Sequence, residues 1–157
     1  EPVSPTIPPV TATASIASTT IPTAAVSKTP TPSQDTISVT VNSAVKKTNI
    51  GGTTNKPGNI FLVLDVTIQN NDKNNNFGYT YDSFAIFDKT NKNRRTAITN
   101  QIKSGLNSPL TSGTIPLKSK TTGQIVFGVA DSSNAYKLYV TDSTGTVVAT
   151  IDNITVS

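Results

Sequence analysis

The chain has 157 residues, contains no cysteine, histidine, methionine or tryptophan, and carries a formal net charge of +4. These absences exclude disulfides, zinc–thiolate centres, thiol chemistry and His-dependent nucleophilic triads. The charge is too mild for a nucleic-acid footprint, and no run of about 18 apolar residues predicts a membrane-spanning helix.

Residues 1–35 form a Ser/Thr/Pro-rich tail. Seven of the ten prolines lie in residues 1–32 and all nine aromatic residues follow position 60, so the foldable part is residues 36–157. A segment of this composition cannot bury enough apolar surface to build a core. It opens Glu1-Pro2-Val3 with no initiator methionine, as expected of a processed or trimmed product. Residues 10–21 stand apart, because they lack both Pro and Gly. Val10, Ala12, Ala14 and Ile16 alternate there with Thr11, Thr13, Ser15 and Ala17, a strand pattern with one modest apolar face. This makes residues 10–21 a candidate donor strand.

Residues 36–45 predict the first strand of the domain, with Ile37, Val39 and Val41 in phase, and residues 46–58 a loop broken by Gly51, Gly52, Pro57 and Gly58. Residues 59–71 are the most apolar run. Ile60, Leu62, Leu64, Val66 and Ile68 occupy one set of alternating positions, and the other set passes from Phe61 and Val63 to Asp65, Thr67 and Gln69. A period of two places the aliphatic set on one face of a central strand, buried on both faces at its start and half exposed at its end. A short aromatic strand follows at residues 77–81, with Phe77, Tyr79 and Tyr81 expected on one face. A hairpin is expected from residues 83–88 and 94–99 around 89–93.

Residues 100–113 are the least regular. Residues 114–118 read as an edge strand interrupted by Pro116. Residues 123–130 place Ile125, Phe127 and Val129 in phase, and residues 135–141 do the same with Tyr136, Leu138 and Val140. Asp142–Gly145 is a turn, and the last strand has Val147, Ala149 and Ile151 in phase with a bulge expected at Asp152–Asn153. Short strands at regular spacing without an amphipathic helix predict an all-β, immunoglobulin-like antiparallel β-sandwich behind an extended Ser/Thr/Pro-rich segment.

The sequences Ile37-Ser-Val-Thr-Val41, Gly58 through Asn71, Phe84-Ala-Ile-Phe-Asp88 and Gly123 through Ala130 together resemble the secreted immunoglobulin-like domains of bacterial and archaeal surface lipoproteins, a family catalogued as a domain of unknown function. The mycobacterial immunoprotective secreted antigen has a similar sandwich. The resemblance covers residues 36–157. It implies an exported protein, often behind a lipid anchor and a Ser/Thr/Pro-rich linker, and it carries over no binding residues.

The candidates for chemistry are few. Ser43-Ala44-Val45-Lys46 matches a Ser-x-x-Lys pattern, but that chemistry needs a helix start and this tetrapeptide ends a strand. The aspartates Asp65, Asp72, Asp82, Asp88, Asp131, Asp142 and Asp152 mostly fall at turns, where Asp caps its own backbone. Asp72, within a loop of asparagines over residues 70–76 that Asp82 or Asp131 would approach, is a weak calcium candidate, since calcium asks for roughly six to eight oxygens. Lys89, Lys92, Arg94 and Arg95 give a basic hairpin tip without the aromatic platforms that nucleic acid requires. Among Tyr79, Tyr81, Tyr136 and Tyr139, only Tyr139 falls clearly out of phase with the core and qualifies for a sugar platform. Asn153-Ile154-Thr155 is a glycosylation acceptor pattern in an exported protein.

Two functions follow as expectations. One is a non-catalytic extracellular structural protein, a cell-surface or filament subunit forming homo-oligomers by β-strand addition of residues 10–21. The alternative is a tethered surface lipoprotein module that binds a protein, a glycan or a small ligand. No enzymatic activity, cofactor or nucleic-acid partner is expected.

Overall fold

The computed structural model describes residues 36–88 and 94–156. The candidate donor strand with Val10, Ala12, Ala14 and Ile16, and the loop containing Lys89 and Lys92, lie outside the described residues.

In chain order the strands are β1 (Ile37–Lys47), β2 (Asn49–Ile50), β3 (Thr53–Thr54), β4 (Asn59–Asn70), β5 (Phe77–Tyr79), β6 (Phe84–Asp88), β7 (Arg94–Thr96), β8 (Gly113–Ile115), β9 (Lys120–Ala130), β10 (Ala135–Thr141) and β11 (Val147–Thr155). Two short helical turns, α1 (Thr99–Ile102) and a 3-10 turn (Lys103–Gly105), lie between β7 and β8. A three-stranded antiparallel sheet in the order β1-β4-β9 packs on a four-stranded sheet in the order β11-β10-β6-β7. β2-β3 and β5-β8 form two small antiparallel pairs. The chain therefore crosses between the main sheets from β4 to β6, from β7 to β9 and from β9 to β10, the Greek-key crossing of an immunoglobulin-like sandwich.

β4 lies where its alternation predicts. Leu62, Leu64, Val66 and Ile68 are completely buried on the inner face, in one core with Phe84, Ile86, Phe127, Leu138 and Val140. Its outer face is buried at the start as well. Phe61 and Val63 join Ile50, Ile102 and Val126 in a second cluster, with Ile98 and Leu106 packed against it. The β2-β3 pair and the α1 segment close over that face, so the two stretches that read as loops in the sequence share one task. They meet backbone to backbone: a Cβ on Gly51 would lie 2.9 Å from the Gly105 Cα, and only glycine permits that approach.

The same segment covers the outer edge of β9. Ile98 N donates to Val126 O (2.8 Å), Leu110 N to Gln124 O (2.9 Å) and Gln124 N to Ser108 O (2.7 Å). The buried hydroxyl of Thr99 accepts from Val126 N at 3.0 Å. A covered edge offers no unpaired N–H or C=O row to another chain.

Three local differences from the alternating pattern have a physical cause. Tyr81 leaves the aromatic strand and opens a 3-10 turn over Tyr81–Ser83, so it does not share a face with Phe77 and Tyr79. Val147 is exposed rather than inward. β10 pairs Val140 with Ala149 and Thr141 with Val147, so Val148 is an inserted residue that turns in beside Ala149. The expected bulge at Asp152–Asn153 is present, between the pairs Leu138–Ile151 and Tyr136–Ile154, with Asn153 at φ 57°. β1 carries a further bulge at Asn42, between the pairs Val41–Val66 and Ser43–Asp65. It shifts the inward phase from Val41 to Ala44 and Lys46.

Candidate functional site

The residues singled out in the sequence do not converge. Asp72 lies beyond the end of β4 and accepts the backbone N–H of Asn74 (2.8 Å) and Asn75 (3.2 Å). The Asn74 bond, foremost, holds its carboxyl below the ordinary carboxylate range. Asp131 follows Ala130, which pairs with Asn59 at the start of β4. The length of β4, about 40 Å for twelve residues at ~3.3 Å each, therefore separates these two aspartates. Asp82 is exposed in the 3-10 turn before β6, at the end of that strand away from Asp88. The calcium reading of Asp72, Asp82 and Asp131 is corrected on this ground, because a single cation cannot gather them. Among the described residues no three His, Cys, Asp or Glu side chains form a group that could hold a metal ion.

Ser43 and Lys46 lie on opposite faces of β1. Ser43 pairs with Asp65 in the outward phase. Lys46, in the inward phase, reaches the mouth between the sheets and donates from Nζ to Asp131 O (2.6 Å) and to Asn134 Oδ1 (2.8 Å). The Asp131 carboxylate is 3.8 Å away. The ammonium of Lys46 thus sits among the oxygens that an added cation at Asp131 would use. Asn153 is exposed at its bulge, between Asp152 and the buried Ile154.

The tyrosines separate by phase. Tyr79 and Tyr136 are buried. The Tyr136 hydroxyl donates to Ser133 O at 2.6 Å, and burial first, then the nearby Asp131 and Asp88, push its pKa up to about 12. Tyr139 is half-buried on the outer face of the four-stranded sheet.

That outer face carries the most distinctive grouping. β6 and β10 turn Phe84, Ile86, Tyr136, Leu138 and Val140 inward, which leaves Phe87, Lys137 and Tyr139 outward. The register places Arg94, Phe87 and Lys137 side by side, and Thr96, Ala85, Tyr139 and Thr150 side by side in the next outward row. The Phe87 and Tyr139 rings meet edge to face, 5.0 Å between centroids at 72°, a favoured aromatic geometry. Lys137 Nζ lies 5.5 Å from the Tyr139 ring centroid and 2.8 Å from Asp152 Oδ1. The ion pair is half exposed and contributes little to stability. It fixes the lysine over the ring.

A cleft of about 480 Å³ opens at the end of this sheet, lined by Asp88, Ser132, Ser133, Asn134, Thr155 and Val156 among others. Its wall is the β9-β10 loop, held by Lys46, by the Tyr136 hydroxyl and by Val156 N donating to Asn134 O (3.1 Å). Reading tyrosines alone misses Phe87 and Lys137. The available signal is an apolar or long side chain in the outward phase of a strand whose inward phase is already filled.

The family model "Domain of unknown function (DUF4352)" matches residues 31–149. No curated protein matches the chain in sequence. Among solved structures the chain resembles YcdA of Bacillus subtilis, described as a "putative lipoprotein", with a TM-score of 0.61 at 16% identity over 79% of this chain. The chain spans 38% of that protein's length. It also resembles MPT63, a secreted protein of Mycobacterium tuberculosis, with a TM-score of 0.56 at 13% identity over 80% of this chain and 92% of that one. A functionally unknown protein of Listeria monocytogenes gives a TM-score of 0.58 at 12% identity, over 86% of this chain and 85% of that one. At these identities the likeness is one of fold. Neither the family description nor those of these proteins name an enzymatic activity.

Proposed function

The chain belongs to the family of domains of unknown function DUF4352, and from that premise we propose that it is an exported, non-catalytic binding module that holds a glycan on the outer face of its four-stranded sheet. Export is supported by the descriptions of YcdA as a lipoprotein and of MPT63 as secreted, and by a Ser/Thr/Pro-rich tail suited to hold a domain away from a surface. The observation that carries the ligand class is the Phe87–Tyr139 pair, two rings on a face otherwise made of Thr96, Thr150, Lys137, Asp152 and Arg94. The C–H surface of a sugar would pack on the exposed parts of these rings, displacing the Lys137 ammonium from above Tyr139, while the surrounding polar groups meet its hydroxyls.

Size favours a glycan over a protein. The platform spans four strands at ~4.8 Å and four residue steps at ~3.4 Å, roughly 200 Å². A stable protein interface needs about 800 Å² per partner. The test is a glycan array with the full chain, followed by titration calorimetry of whatever it retains. Binding is expected, and Phe87→Ala and Tyr139→Ala, each folded by circular dichroism, are expected to weaken it at least about tenfold. An empty array, or binding indifferent to both substitutions, would reject the reading.

Assembly by strand addition is a second reading, favoured by an observation of its own. Among the described residues β1 and β11 are edge strands with no partner on their outer sides. Large exposed hydrophobics among those residues are Leu117 and Val147, each 40% exposed. The core therefore presents no open groove, and residues 10–21 would add through backbone pairing alone. Such a head-to-tail contact does not close and would build a fibre. The full chain would then polymerise while a chain lacking residues 1–21 stays monomeric; light scattering that finds both monomeric at high concentration would remove this reading.

A further inference from the structure

The aromatic platform and the cleft are not separate features, because the register of β10 joins them. Outward positions on β10 run Tyr139, Lys137, Ala135 in a straight line. Lys137 lies beside Phe87, and Ala135 beside Thr155. Ala135 and Thr155, the last outward row of the sheet, also line the cleft, with Ser132, Ser133 and Asn134 rising beyond them. A ligand resting on Tyr139 and Phe87 that extends along β10 passes over Lys137 and its Asp152 partner and reaches the cleft.

We infer that face and cleft form one elongated site for a linear glycan of at least three units, lying along β10 with its end unit in the cleft. This rests on the glycan reading above and adds chain length and direction. From Tyr139 to Ala135 is four residues, about 13 Å at ~3.3 Å each, more than one pyranose ring covers. The aromatic end supplies stacking faces. The cleft end supplies hydroxyl and amide groups from Ser132, Ser133, Asn134 and Thr155, suited to the hydroxyls of a neutral sugar. The β9-β10 loop is already fixed by Lys46 at 2.6 Å and 2.8 Å from Asp131 O and Asn134 Oδ1, so the wall is in place before the ligand arrives, which lowers the ordering cost of binding.

The test uses the full chain and β-1,4-linked N-acetylglucosamine oligomers of one to five units, a flat and extended series. Affinity is expected to rise at least about tenfold from one unit to three and then level off. Thr155→Val keeps the branched shape on an exposed strand position. With Ser132→Ala it is expected to lower trimer affinity about fivefold for each hydrogen bond lost, leaving the single-unit affinity unchanged. Phe87→Ala is expected to weaken every length alike. Affinity that does not grow with length, a double variant equal to the parent, or failure to bind any of these oligomers would overturn the elongated site. A positive glycan array beside any of these results would leave the broader glycan reading standing, whereas an empty array would remove both.

Discussion

Leu64 is fully buried in the middle of β4, where inward residues from both main sheets meet. Leu64→Ala removes its contacts and leaves a cavity that a sheet fixed on both sides cannot collapse. The expected cost is about 2–5 kcal/mol, read as a lower urea midpoint at unchanged slope. Asp142 acts at the same scale through charge. Its carboxylate accepts Thr144 Oγ1 at 2.7 Å, Thr144 N at 2.8 Å and Thr146 N at 3.0 Å. These bonds, led by the Thr144 hydroxyl, depress its pKa from 3.8. A depressed folded-state pKa gives stability that is present above 3.8 and lost as pH falls through the folded value. Denaturation of Asp142→Asn should therefore show a shallower acid dependence than the parent below about pH 4, the difference fading as pH falls through the folded-state value; identical acid profiles would mean that the turn draws nothing from the charge.

Elements meet through positions that strand alternation cannot show. Gly123 faces Leu110, and a Cβ there would lie 2.9 Å from the Leu110 Cα. Gly123→Ala must push the segment covering β9 away from its edge. Overpacking of this kind costs about 1–3 kcal/mol, and faster amide exchange at Leu110 and Gln124 would show where the displacement occurs. Lys46 joins the end of β1 to the β9-β10 loop across 85 residues of sequence. Lys46→Met keeps the stem and removes the ammonium, so exchange in residues 131–135 should quicken while the Tyr136–Ser133 bond still holds part of the loop. Unchanged exchange there would show that Tyr136 alone suffices.

For the molecule as a whole, the sandwich core closes within the described part of residues 36–157. A chain of residues 36–157 alone should melt at the temperature of the full chain, and a large drop would assign the tail a structural role. The main strands were legible because Ile60 through Ile68, Ile125 through Val129 and Tyr136 through Val140 each follow a period of two against a buried face. The covering of Phe61 and Val63 was legible only in part. Their apolar character showed that something buries them, but the pairing of residues 49–54 with 98–106 over β4 depends on contacts far apart in sequence. The candidate site was least legible. Tyr139 could be found by phase, but Phe87, Lys137 and Thr155 come from three strands, and two bulges adjust the register of β10 with β11.

The inserted Asn42 in β1 has a further consequence. Its side chain donates to Asp65 Oδ1 at 2.8 Å and to Thr67 Oγ1 at 3.0 Å, so the extra residue is fastened on the outside while the strand beyond it turns over. A regular strand through the same residues, with Asn42 paired in turn, would point Val45 inward at the mouth of the sandwich and swing Lys46 out to solvent, leaving Asn134 and the Asp131 carbonyl without their donor. Deleting Asn42, by contrast, would keep Ser43 opposite Asp65 and Lys46 facing inward, because the extra residue and the bulge would vanish together. One unpaired residue thus decides whether a cation or a hydrocarbon stands at the β9-β10 loop, so in this strand the count of residues matters as much as their identity.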